Sequence, residues 1–401
     1  MRPLLTAPLL LLSLFRSCQP TLARDVEGTH AHRIVARAAT ADQLFQFRAE
    51  GQAGGCSDDQ KTTITNWIAE TIKLHNAALS AYGAKSGLPD VVHLSMIMGV
   101  ALNPDGGFQS PSDQTLHLNI GNRMAAVTQF LSGQGLQNAK TSEKPYFFCD
   151  DSIATYTPWN QPARNSQGQT IPDPDNEGDL VTVTKLFPFL ENTVMGKYDT
   201  QPFYMDLFNA YNFHGTNVER MCFDTLYAVT PHSYENEANG VPGVTVGAFD
   251  RFIVFCNQAY SPAAGTAHSA ASLDYITSYD GYPAGRVMGG PNRPRLDAFA
   301  PISGTFYHEL FHLTDTAATT GDPEPGLDAI LSAAMARNSR TQTARRMRIA
   351  DNPESFLMFA VASYLYRNPP TTTPDGSDKK DAVIFMGSQA STGDEAFPGR
   401  S

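Results

Sequence analysis

The strongest constraint on this chain lies in Ser303-Gly-Thr-Phe-Tyr-His308-Glu309-Leu310-Phe311-His312-Leu313, which carries its only H-E-x-x-H. Two histidines four apart leave a 3.6-residue helix about 40° from one another, so both imidazoles share one face. That is the spacing a zinc ion needs from two ligands on one helix. Glu309 lies about 60° from His312 on the same side, placed to take a proton from an attacking water rather than to bind the metal. Phe306, Leu310 and Leu313 form an apolar stripe on the opposite face. No Gly or Pro interrupts residues 305–315, and Ser303 is a candidate N-cap. One face is expected to enter a core while the other meets a metal.

The first 23 residues read as a signal peptide. Arg2 supplies a positive start, Leu4 to Phe15 is apolar with a short interruption, and Thr21-Leu22-Ala23 is a small-x-small cleavage site. The apolar run is too short to span a bilayer. The expected location is therefore extracellular, with no membrane partner after cleavage. The formal net charge is −11, and losing Arg2 and Arg16 with the signal peptide makes it −13. No basic surplus remains to hold a phosphate backbone, which argues against nucleic acid as a partner.

Cys18 leaves with the signal peptide, and Cys56, Cys149, Cys222 and Cys256 remain. An even count in a secreted chain suggests two disulfides, and three pairings are possible. Neighbours in sequence are the easier closures, so Cys56–Cys149 and Cys222–Cys256 are expected. None of the four sits in a C-x-x-C pair, which disfavours a zinc role for them.

Residues 24–55 are polar and Ala/Arg/Gly-rich, a propeptide or a loose arm. Residues 56–367 form the expected folded domain, and 368–401, rich in Pro, Thr, Gly and Ser, a disordered tail. Ser57-Asp-Asp-Gln60 is a capping box that opens a long amphipathic helix through Ile64, Trp67, Ile68, Ile72 and Leu79 to Gly83. Ile120, Met124, Val127 and Leu131 mark a second helix, and Tyr146–Cys149 and Phe252–Cys256 read as strands. Residues 150–180 form a long loop, in which Asp173-x-Asp175-x-Glu177-Gly178-Asp179 mimics the start of a calcium loop but has Thr184 at its twelfth position. Thr200 to Val229 shows no firm period. Leu327 to Arg337 is helical. Pro353 to Leu365 is a further helix, with Asn352 at its N-cap and Glu354 in its first turn. His30 and His32 form a weak pair, and His214, His232 and His268 sit in turn-rich segments.

A hydrolytic zinc needs a third protein ligand and an open position. Asp315, Asp322, Glu324 and Asp328 follow the motif. Asp315 shares the ligand face but lies about 10 Å along the axis from His308, better placed as a helix-end acid or a partner of a histidine. A ligand returning from the following loop favours Asp322, with Asp328 in reserve and Glu324 behind it. No H-x-x-G-x-x-H follows, and no G-x-S-x-G is present.

These motifs resemble those of the deuterolysin-type peptidases, the aspzincins, a family of secreted fungal metalloendopeptidases related to the lysine-specific ones. His308-Glu309-Leu310-Phe311-His312 matches the family's helix motif, Thr320-Gly321-Asp322 its Asp-bearing loop, and Asn352-Pro353-Glu354-Ser355-Phe356 its Asn-Ala-Asp-Ser-Tyr segment. Phe252–Cys256 resembles the strand and cysteine before the zinc helix. The likeness covers about residues 245–366, and weakly the helix after Cys56. It implies an α+β, zincin-like metallopeptidase domain, mainly helical with a small sheet and two disulfides. It further implies Zn2+ held by His308, His312 and Asp322, Glu309 as general base, and a peptide or protein substrate for a monomeric enzyme. Pro323-Glu324-Pro325-Gly326 stands where the family has Tyr-Gly, so the family's oxyanion-stabilising Tyr has no counterpart. That departure favours the alternative, an inactive metallopeptidase-like secreted binding or surface protein. Intact Glu309 favours the enzyme.

Overall fold

Ser57 and Gln60 cap each other's backbone amides, Ser57 N–H to Gln60 Oε1 at 2.9 Å and Gln60 N–H to Ser57 Oγ at 3.3 Å. They open helix α1 (Asp58–Tyr82), which runs 25 residues to Gly83. Further helices are α2 (Leu88–Met96), α3 (Pro111–Leu131), α4 (Ile302–Thr314), α5 (Leu327–Ala334), α6 (Arg340–Met347) and α7 (Pro353–Arg367). The computed structural model describes residues 39–84, 87–140, 143–188, 190, 200–215, 219–223, 226–261, 272–278, 295–315, 322–337, 339–369, 384–386 and 388–391. The expected signal peptide, His30, His32, His268 and Thr320-Gly321 lie outside them.

Helix α4 packs against α1, α3 and α7. Phe306, Leu310 and Leu313 enter the core, as their stripe predicts, together with Tyr307 and Phe311. Helix α7 is apolar on nearly every side and buried accordingly, from Phe356 to Leu365. The two helices approach closely because position 304 has no side chain. A Cβ on Gly304 would come within 2.9 Å of Leu357 Cδ1. His75 ties three helices together, its Nδ1 3.0 Å from the Tyr307 hydroxyl on α4 and its Nε2 2.8 Å from Thr128 Oγ1 on α3.

Among the described residues, three small sheets accompany the helices. β1 (Phe147–Phe148) pairs in parallel with β6 (Ile253–Phe255), and β5 (Ala228–Val229) pairs antiparallel with the other side of β6. β2 (Thr155–Tyr156), β3 (Thr200–Met205) and β4 (Ala210–Gly215) form an antiparallel sheet. It carries a separate cluster around Tyr204, Tyr211, Phe213 and Phe187. Cys56 is joined to Cys149 and Cys222 to Cys256. The chain is thus a mixed α+β structure with two disulfides. No helix among the described residues is long and apolar enough to cross a membrane.

Several sequence expectations change. Helix α4 starts at Ile302 behind Pro301, so Ser303 is a buried first-turn residue rather than its N-cap. The arm before Cys56 is not loose throughout, because Ala41, Leu44 and Phe45 belong to the main core. The tail is not disordered throughout either. β7 (Ile384–Met386) and β8 (Gln389–Ser391) form a hairpin that buries Phe385. The Phe385 N–H donates to His93 Nε2 at 3.3 Å, and the Leu296 N–H donates to the Ser388 carbonyl at 2.9 Å. The acidic turn is paired with a lysine. Lys185 Nζ lies 2.6 Å from both Asp173 Oδ1 and Asp175 Oδ2, and this holds the Asp173 pKa down at about 2. An ammonium thus stands where a calcium ion would.

Two measurements test this packing. Phe385→Ala should cost about 3–5 kcal/mol in urea unfolding, as for other buried phenylalanines. An unchanged midpoint would mean that the hairpin adds nothing. Burial also pushes His75 and His93 down to about 3. The unfolded chain takes up their protons near pH 6.5 and the folded chain does not, so the stability they permit is complete above pH 6.5. It falls as pH drops toward 3, on the order of 1 kcal/mol per pH unit per histidine. His93→Gln should flatten the pH profile of unfolding between pH 6.5 and 4, and an unaltered slope would contradict this assignment.

Candidate metal centre

His308 and His312 leave α4 on one face, their Nε2 atoms 3.2 Å apart. Asp322 Oδ1 completes a triangle, 3.4 Å from His308 Nε2 and 3.5 Å from His312 Nε2. A tetrahedral ion with bonds of about 2.0–2.1 Å has ligand–ligand edges of about 3.4 Å. All three separations fit that edge. The two imidazoles and one carboxylate could therefore hold a metal ion.

One ligand, His308, is oriented from behind through its imidazole. His308 Nδ1 lies 3.2 Å from Glu354 Oε2, in the first turn of α7. An N–H donated there leaves the Nε2 lone pair for the metal. The His312 carbonyl accepts from the Arg251 guanidinium, which caps the last turn of α4. Burial opposes a charge on His308, yet hydrogen bonds to Asp322 and Glu354 hold its pKa well above the ordinary value without a metal. Although burial disfavours its charge, Asp322 is held far below the usual carboxylate range by the same histidines.

Glu309 is buried between the two ligands in sequence. Its Oε2 accepts from Thr230 Oγ1 at 2.6 Å. Thr230 directly follows β5, the edge strand of its sheet, so the strand end is fixed against the candidate base.

No protein-family model, curated protein or solved structure matches this chain. The assignment of the site therefore rests on its own geometry.

The remaining sequence candidates are engaged elsewhere. Asp328 is exposed on α5 and pairs with Arg295 at 3.1 Å, outside the metal-binding group. Glu324 is buried and held by Arg345. Asp315 caps the end of α4 and bonds to Arg123 of α3. The carboxylate found behind a ligand histidine is Glu354. His232 comes near enough to feel His312. Burial first, then the charges of Arg251 and His312, push it down to about 4. His214 lies on β4 with its ring centroid 6.2 Å from that of Phe223. The sequence placed Glu354 in a helix first turn and within the segment resembling Asn-Ala-Asp-Ser-Tyr, without a role beside a ligand, and Thr230 carried no signal at all.

Metal affinity, measured by competition with a chromogenic chelator, separates these roles. Asp322→Ala should weaken binding by about 100-fold or more, because a direct ligand is lost, and Glu354→Gln by about 10–100-fold. Asp328→Ala should leave affinity within about twofold, since it holds no ligand position. Equal losses for Asp322→Ala and Asp328→Ala would reassign the third ligand.

Proposed function

We propose that the chain is a secreted zinc-dependent endopeptidase with a zincin-like site. The observation that carries this reading is the His308–His312–Asp322 triangle with Glu309 on the same helix face. Two neutral imidazoles and one carboxylate are a donor set that suits zinc with an open position. The residues fit such an ion, and the resemblance of the motifs to the deuterolysin-type peptidases supports it. The N-terminal signal pattern and the two disulfides support secretion.

Zinc bound there would polarise a scissile carbonyl and bring the pKa of an attacking water toward neutrality. The chain's own residues do the rest. Glu309 takes the proton from the attacking water and delivers it to the leaving amine. Thr230 holds Glu309 Oε2, leaving Oε1 for that transfer. Glu354 keeps the His308 proton on Nδ1. An extended peptide can lie along the edge of β5, whose end carries Thr230. The central strand β6, within Phe252–Cys256, is flanked by β1 and β5 and offers no such edge. The side chain at Glu309 favours an enzyme over an inactive binding protein, because a purely structural metal has no use for a base held in this way.

Cleavage of unfolded casein by the secreted, zinc-loaded protein is the direct test. Glu309→Ala should retain zinc and lose about 10²–10⁴-fold in rate, the usual contribution of a general base. Equal rates for the two proteins at equal zinc content would overturn the proposal. So would no cleavage by the parent once N-terminal sequencing shows any propeptide removed.

A further inference from the structure

We infer that Glu324, clamped by Arg345 and bridged by Asn352, is a positioning residue that sets Asp322 and His308 in register with each other. This inference rests on the reading that His308, His312 and Asp322 bind a metal. Glu324 stands two residues after Asp322 and is 3% exposed. Both of its carboxylate oxygens are taken. Arg345 Nε donates to Oε1 at 2.8 Å and Arg345 Nη2 to Oε2 at 2.5 Å, a two-point fork, and Arg348 Nη2 lies 3.5 Å from Oε1. Arg345 is itself fixed on α5 through the Ser332 hydroxyl and the Ala329 carbonyl. Pro323 and Pro325 flank Glu324 and restrict φ on both sides, so its placement is passed back to Asp322.

The second connection runs through Asn352. Fully buried at the start of α7, it is that helix's N-cap residue, as the sequence predicts, but its side chain makes no capping hydrogen bond. Its Nδ2 instead donates to the Glu324 carbonyl at 3.2 Å and to Ser355 Oγ at 2.7 Å. Two residues further on, Glu354 meets His308 Nδ1. The path Asp322–Glu324–Asn352–Glu354–His308 therefore joins two ligands through protein alone. Pro-Glu-Pro-Gly, the segment that departs from the resembled family, is the anchor of that path.

The test is a double-mutant cycle on metal-free protein, with Zn2+ affinity read by chelator competition and the metal-free fold checked by thermal unfolding in EDTA. Glu324→Gln should weaken Zn2+ binding by about 10–100-fold, as loss of a ligand-orienting contact does. In an Asp322→Ala background the same substitution should cost several-fold less, because its link to Asp322 is gone and only the path through Asn352 and Glu354 to His308 remains. Arg345→Lys keeps the charge but loses the fork, and should weaken binding several-fold in a protein that still folds. Asn352→Ala should act in the same direction. Equal losses in both backgrounds, or unchanged affinity with only a lower unfolding temperature, would overturn the inference and make Glu324 a purely structural residue. If the parent binds Zn2+ and Asp322→Ala weakens it while Glu324→Gln and Arg345→Lys do not, the metal site stands and only the positioning role falls. No binding by the parent would overturn both.

Discussion

Helix α4 has to be buried against three neighbours while one of its faces stays polar. Its apolar side chains each stabilise the fold by about 1.5–3 kcal/mol when removed from water. His308, Glu309 and His312 cannot follow them inside without partners, because an unpaired buried polar group costs more than a hydrogen bond returns. The structure supplies a partner for each from a different element: Glu354 from α7, Thr230 from the end of β5, and Asp322 from the chain after the helix. Packing decides which partners are in reach. The Phe311 and Phe356 rings stack at 4.1 Å, and Gly304 lets Leu357 approach. The contact that buries α4 thus also delivers Glu354 to His308.

The same economy of means appears in the buried carboxylates around the site. Asp315 is held by Arg123, Glu324 by Arg345, and Asp113 by Arg346 at 2.6 Å and Arg337 at 3.1 Å. Each pair joins elements distant in sequence, and Asp113 also accepts from the Ala101 N–H at 2.9 Å. Such pairs add little net stability over an apolar replacement, whereas breaking one costs about 3–5 kcal/mol. Their value here is directional. Arginine's rigid fork fixes an angle as well as a distance, so these pairs tie α3 to the end of α4 and to α6.

What the sequence disclosed was mostly local. The capping box at Ser57 and Gln60 and the apolar stripe of α4 act within a few residues, and both are read without tertiary knowledge. The spacing of His308 and His312 is equally local, and Asp322 follows from the length of chain needed to return to them. The β3–β4 hairpin was not legible, because both of its faces are buried, Tyr204, Tyr211 and Phe213 in one cluster and Met205 and Ala210 in another, so no apolar–polar alternation shows. Phe385 looked like part of a polar tail, since what makes it a core residue is the packing of its strand against α2 and α7, which local sequence does not show. Asp328 could be set aside only once Arg295 was seen beside it. Thr230 and Glu354 belong to this second kind: ordinary residues given a role by what faces them.

The carboxylates beside His308 also determine what a metal bound there would have to displace. Without a metal, His308 sits between Asp322 and Glu354, and both favour its protonated form. Its folded pKa is raised, so the stability from these bonds is complete below the unfolded value near 6.5 and is lost as pH rises through the folded value. Metal binding requires the neutral imidazole and must expel that proton, so affinity weakens as pH falls. Glu354 acts on both sides of this exchange. It stabilises the proton in the metal-free state, and on Nδ1 it holds the tautomer that presents Nε2 to the metal.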